Sequence, residues 1–155
     1  MNLEKIVQTQ YRQIANRLSG RTGELARPKE GWLKTVRSAL GMSGADVAAR
    51  LGLTRARVSQ TEAAELSGGV SLKTMTAFAE AMGCRFVYAI VSADGKIEDI
   101  IKAQARRRAT ALVQRAGMHM ALEDQSISKS ATKAEIARIA DEFARKMPPG
   151  FWREP

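Results

Sequence analysis

The stretch Thr54-Arg55-Ala56-Arg57-Val58-Ser59-Gln60 gathers two guanidinium groups, a carboxamide and two hydroxyls within seven residues. Arginine and glutamine are the side chains that grip guanine and adenine edges through paired hydrogen bonds. The whole chain favours the same chemistry. Its 155 residues hold 25 Lys and Arg against 16 Asp and Glu, a net charge of +9. A surplus of that size in a small protein points to a polyanion, most often nucleic acid. Other chemistries are poorly provided for. One histidine, His119, and one cysteine, Cys84, cannot make a His/Cys metal cluster, a cysteine zinc site or an internal disulfide. There is no nucleophile–base pair and no Gly-rich phosphate loop, so neither catalytic residues nor a cofactor or metal are expected. His119 reads as a structural histidine, and Glu123 and Asp124 read as surface charge.

The elements that must position residues 54–60 are legible on either side. Ser43 is placed to cap a helix over Ala45 to Leu51, with Asp46 at its third position. Gly52 ends that helix, and Thr54 caps a second one that runs to about Leu66. This is the spacing of a helix-turn-helix between Met42 and Glu62. Such a unit lays its second helix in the major groove, N-terminal side chains toward the bases. Val47, Ala48, Leu51, Leu53 and Val58 supply the apolar contacts between the two helices. Before them, Trp32, Val36 and Leu40 lie four apart and Gly41 closes their helix. After them, Ser71 caps a helix through Met82 with Leu72, Met75, Phe78, Ala79 and Met82 on one face.

The flanks are also mostly helical. Leu3, Ile6, Val7, Ile14 and Leu18 mark an amphipathic helix whose stripe needs a cover. Cys84 to Val91 is β-branched and aromatic, lies between Gly83 and Asp94-Gly95, and reads as a strand with Cys84 buried at its start. A lone strand needs a partner, and a second copy of the chain would supply one. Ile97 to about Leu122 is helical, with Ile97, Ile100, Ile101, Ala105, Leu112, Val113 and Ala116 as its stripe and Gly117 a break near its end. Arg106-Arg107-Arg108, with Arg115 seven residues on, is either a solvated face or a phosphate-contacting stripe. Ser126 to Thr132 reads as a loop. Ala134 to Met147 is a last helix with Ile136, Ile139, Ala140 and Phe143 on one side. Phe151 and Trp152 either fold back on the protein's own core or meet a partner. The expected architecture is mainly α, with one short β-strand. An N-terminal helical arm spans 1–27, a helix-turn-helix domain with trailing strand 28–92, and a helical C-terminal region 93–155. No apolar run approaches the ~20 residues that cross a bilayer, and Met1-Asn2-Leu3-Glu4-Lys5 lacks the core of a signal peptide. A cytoplasmic, non-enzymatic protein is expected.

Gly31 to Met82 resembles the lambda-repressor-like (Xre-type) helix-turn-helix family. The resemblance implies that Arg55, Ala56, Ser59 and Gln60 face bases, that Thr54 and Arg57 sit at phosphate or groove-edge positions, and that the backbone at Ser43 meets a phosphate. Where the family commonly has glutamine, this chain has Gly44, which removes one orienting contact. Arg37 and Glu62 match a pair that forms a scaffold salt bridge. The likeness extends through Gly31-Trp32-Leu33, Ala39-Leu40-Gly41-Met42-Ser43-Gly44 and Arg57-Val58-Ser59-Gln60. It continues in Ser71-Leu72-Lys73-Thr74, Gly83-Cys84-Arg85-Phe86-Val87-Tyr88-Ala89 and Met118-His119-Met120-Ala121-Leu122-Glu123. These blocks together resemble the mobile mystery protein A family, encoded beside a Fic-domain protein. What that implies is an antitoxin that restrains a Fic-type toxin from the adjacent gene and represses their operon. It would act as a homodimer on double-stranded operator DNA or in a hetero-oligomer with the toxin. Many Fic inhibitors carry Ser or Thr, three residues, Glu, then Gly or Asn. Here Thr61 and Glu65 are followed by Leu66, and Thr76 and Glu80 by Ala81, so that motif is not recognisable.

Overall fold

The computed structural model describes residues 3–21, 23–122 and 128–154, with the side chains of residues 120–122 excepted. Glu123, Asp124 and the first two residues of the 126–132 stretch lie outside them. The chain forms two compact units. One is the segment between Arg21 and Val91; the other joins the chain up to Arg21 with the chain from Val91 onward.

The first unit holds four helices: α2 Trp32–Ala39, α3 Gly44–Leu51, α4 Arg55–Ser67 and α5 Leu72–Ala81. Their starts are set by local chemistry. The Ser43, Thr54 and Ser71 hydroxyls accept from the backbone N–H three residues on, satisfying donors that a helix leaves orphaned. Gly52 turns α3 into α4 at φ 65°, a left-handed conformation that costs a residue without Cβ nothing. Leu33, Val47, Ala48, Val58, Met75, Phe78 and Met82 make the buried core, and Val36, Met42, Leu51, Val70 and Phe86 pack around it. The expected apolar stripes are corrected in detail. Trp32, Leu40, Leu53 and Leu72 are exposed, and Leu33 is the α2 residue that goes inside.

In the second unit α1 (Leu3–Ala15) runs into a 3-10 turn at Asn16–Leu18, and α6 (Ile97–Leu122) packs extensively against α7 (Lys129–Lys146). Ile101, Ala105 and Phe151 form its core, with Ile97, Ala140, Phe143, Ala144 and Met147 around them. Asn16 ties α1 to the start of α6. Its carbonyl accepts from Ile97 N–H at 3.0 Å, and its amide donates to Glu98 at 2.8 Å. That bond is the main reason the Glu98 carboxyl is held below its ordinary pKa. Val7 in α1 and Leu18 in the 3-10 turn are half-buried, while Leu3 and Ile14 remain exposed.

Four expectations are corrected here. Among the described residues there is no strand, and Cys84–Val91 is extended chain without a ladder. Its local β-preference has no neighbour to pair with, and a strand exists only as a pair. Cys84 is exposed rather than buried. Gly117 does not break α6, which continues to Leu122; one glycine costs a helix only about 1 kcal/mol. The last helix begins earlier than Ala134, because Ser128 caps it by accepting from Ala131 N–H, so Thr132 is helical rather than in a loop.

Candidate nucleic-acid interface

The residues singled out from the sequence lie on the surface of the first unit, at the starts of α3 and α4. Ser43, Thr54, Arg55, Ala56, Arg57, Ser59 and Gln60 are all exposed. On α4 the separation is clean. Val58, Thr61 and Glu65 are buried, while Ala56, Ser59 and Gln60 lie on the side away from them and Arg55 sits exposed at its edge. The first two turns of α4 therefore expose two guanidinium groups, a carboxamide and a hydroxyl, side-chain types that can bond base edges or phosphates.

The turn holds this array by specific bonds. Thr54 accepts from Arg57 N–H at 3.1 Å through its hydroxyl and from Val58 N–H at 3.2 Å through its carbonyl. Leu53 N–H donates to Ala48 O at 2.9 Å, closing the end of α3. The N-terminus of α3 lies next to Arg55. A Cβ built on Gly44 would sit 3.6 Å from Arg55 Cγ, so the stem of Arg55 passes over this glycine.

At the start of α3, Ser43 and Asp46 form a reciprocal pair. Asp46 N–H donates to the Ser43 hydroxyl, while the Ser43 N–H and hydroxyl both donate to Asp46 Oδ2, at 2.6 and 2.7 Å. The hydroxyl bond, then the N–H bond, holds the Asp46 carboxyl below its ordinary pKa. Ser43 is thus occupied by its own helix cap, and the amides of Gly44 and Ala45 are the N–H groups this helix end presents.

Residues 33–88 match the family model described as Helix-turn-helix. This segment is a helix-turn-helix domain. No curated protein and no solved structure matches the chain. The matched family is one of DNA-binding regulators, whose motif lays its second helix in the major groove.

The scaffold behind α4 is electrostatic as well as apolar. Arg37 Nε and Nη2 donate to the two Glu62 oxygens at 2.6 and 3.1 Å, and Arg37 Nη1 donates to Met42 O. Both side chains are largely buried, and the bond to Glu62 holds the Arg37 guanidinium above its ordinary pKa. The expected scaffold pair is therefore present.

Sequence reasoning missed a second carboxylate. Glu65 is 6% exposed and caps α2 from a distance, accepting from Trp32 N–H at 2.7 Å and Leu33 N–H at 2.9 Å. Arg27 reinforces the same corner by donating to Glu65 O and Leu66 O. The signal was there: α2 starts after Gly31, which has no side-chain oxygen to cap with. Gly31 is required by φ 81° and ψ 163°, and a Cβ there would fall 2.7 Å from Glu65 Oε2.

Of the two C-terminal aromatics, Phe151 is 2% exposed and belongs to the core of its own unit, whereas Trp152 is 57% exposed and meets the Phe151 ring edge-on at 4.9 Å. The arginine triplet divides too. Arg108 donates to Gly150 O and Arg153 O, and Arg107 donates to Gln104, whose amide donates to Phe151 O at 2.7 Å. Arg106, Arg107, Thr110 and Gln114 line a shallow surface depression of about 540 Å³ on α6. Among the described residues no group of three or more His, Cys, Asp or Glu side chains could hold a metal, and no helix is long and apolar enough to cross a membrane.

Proposed function

We propose that this chain is a repressor that binds a specific operator as a dimer on an inverted repeat. We further propose that it serves as the antitoxin of a Fic-type toxin encoded beside it. The observation that carries the DNA reading is the outward set Arg55, Ala56, Ser59 and Gln60 on a capped helix within a helix-turn-helix domain. In this reading Arg55, Ser59 and Gln60 read bases, Thr54 and Arg57 hold the sugar–phosphate backbone, and the α3 start near Ser43 meets a phosphate through backbone N–H groups. Repression follows from occupying the promoter in the cytoplasm. The antitoxin role rests on the likeness to the mobile mystery protein A family.

A second reading is a plain autoregulatory repressor. What favours it is Glu65. It is the glutamate of the Thr61–Glu65 pair, and it is buried under α2. It is not available to enter a toxin's nucleotide site. An antitoxin built on this chain inhibits through another surface, such as the exposed stripe of α1 or Trp152.

The test joins two measurements on the full chain. Binding to its own promoter fragment is titrated across salt concentrations, because each neutralised phosphate releases counterions and steepens the fall of affinity. A flat response removes the operator reading. The chain is also co-expressed with the product of the adjacent gene. A complex that survives gel filtration and silences AMP transfer supports the antitoxin role; no complex, with tight promoter binding, leaves the repressor alone.

A further inference from the structure

We propose that the extended segment Arg85–Ile90 pairs antiparallel with the same segment of a second copy of this chain, forming a two-fold strand pair that links two helix-turn-helix domains. This rests on the dimeric operator reading for its purpose, though not for its geometry.

Four observations carry it. The segment lies in no helix or turn, the stacked rings of Phe86 and Tyr88 two residues apart mark it as extended, and among the described residues none of its backbone N–H or C=O groups has a hydrogen-bond partner. Its side chains are strand formers held out in water: Val87 is 70% exposed, Tyr88 71% and Ile90 91%. The conformation is already set. Phe86 packs on the core of the helix-turn-helix domain, and the Tyr88 ring stacks on Phe86 with centroids 6.1 Å apart and planes at 20°, as two residues on one face of a strand do. Finally, no other strand occurs among the described residues, so pairing within the chain is not on offer there.

The sequence of the segment suits its own copy. An antiparallel pair centred on Val87 sets Val87 opposite Val87, Phe86 opposite Tyr88 and Arg85 opposite Ala89, and brings Ile90 opposite Cys84. Aromatic and branched side chains then meet across the pair, and the two arginines do not face each other. A parallel in-register pair would place Arg85 against Arg85. Five residues on each strand give about six inter-strand hydrogen bonds, within the number that whole protein interfaces carry. The arrangement is isologous, so it closes at two copies. It gives the two recognition helices the two-fold relation that an inverted repeat demands.

The experiment is sedimentation of the full chain at micromolar concentration, with Val87→Pro and Ile90→Lys beside the wild type. Proline removes a ladder donor and lysine places a charge on the edge, and neither side chain is part of the core. The wild type is expected to be a dimer. Each variant should raise the dimer dissociation constant about tenfold or more while leaving the circular dichroism and the urea midpoint unchanged. A monomeric wild type overturns the proposal, and so does a dimer indifferent to both substitutions. A partner protein's strand captured by a monomer falls under the first of these. Salt-sensitive promoter binding, measured alongside, keeps the two readings apart. A strand-paired dimer that ignores DNA retains the pairing and loses the operator reading; a DNA-binding chain whose dimer ignores Val87→Pro does the reverse.

Discussion

Glu65→Gln is the substitution that tests the scaffold most directly. The carboxylate accepts two backbone N–H groups at the start of α2, one on each oxygen, and both oxygens lie inside the domain. Glutamine keeps the shape and one acceptor. Its NH2 group would face the second N–H, donor against donor. The variant therefore loses one charge-assisted bond, leaves a backbone donor short of a partner and removes a negative charge from a helix N-terminus. Hydrogen bonds to charged groups are worth about 1.5–3 kcal/mol, so the combined loss is about 2–4 kcal/mol. With a urea slope of about 1–1.5 kcal/mol/M, that moves the midpoint down by about 2 M. The chain has one tryptophan in each unit, Trp32 and Trp152. In a Trp152→Phe background, fluorescence reports the helix-turn-helix domain alone, and the other unit's unfolding does not blur the transition. Glu80→Gln, at an exposed glutamate on α5, is the control and should shift stability by less than about 0.5 kcal/mol. If Glu65→Gln unfolds with the control, the cap is not holding α2 and the reasoning fails.

Gly31→Ala should be destabilising by about 1–3 kcal/mol from its backbone alone, with the contact to Glu65 Oε2 added. Because both residues share one corner, the double variant with Glu65→Gln should cost less than the sum, and strict additivity would argue against that contact. Arg55→Ala should lose about 1–3 kcal/mol at one base position and relax specificity there. An equal loss on every sequence would make Arg55 a phosphate ligand. Asp46 has a folded-state pKa below its ordinary value, so the stability it lends is fully present above about pH 4 and fades as pH falls through the lowered value. Asp46→Asn should therefore be destabilising near neutral pH and less so in acid, as acid denaturation curves would record. Phe151→Ala should cost about 3–5 kcal/mol in its own unit, followed through Trp152 emission; a near-neutral result would mean the ring is not core.

What the sequence made legible is what local chemistry decides. Ser43 with Asp46, Gly52 and Thr54 fix α3, the turn and the start of α4 within a dozen residues, and each signal acts on backbone groups at most three positions away. Long-range satisfaction was harder to see. Glu65 reaches Leu33 across 32 positions, and nothing within α4 marks that glutamate as different from a surface one. Arg108 shows the same gap. Its neighbours suggest a cationic stripe, but its guanidinium is held by carbonyls of Gly150 and Arg153, more than 40 residues on. Cys84–Val91 failed for the opposite reason: its composition is that of a strand, but a strand is a property of two segments, and a local pattern specifies only one.

The same long-range contacts explain how a helix with balanced charge presents a cationic face. Within α4, Arg55 and Arg57 are matched by Glu62 and Glu65, so a count gives no surplus. Placement breaks the balance. Glu62 is turned to Arg37 on α2 and Glu65 to the first amides of α2, while the two arginines sit at the exposed N-terminal turn. Glu62 is neutralised by Arg37 and Glu65 is held by two α2 amides at a helix N-terminus, both away from the surface, so less negative potential reaches the outward side. The field that would draw a phosphate backbone toward α4 is set by which charges fold inward, not by composition. It follows that stability and binding are coupled through these acids. Displacing Glu65 from its cap, as Gly31→Ala would, leaves Arg55, Ser59 and Gln60 untouched, yet it loosens α2 and frees a carboxylate on α4 itself.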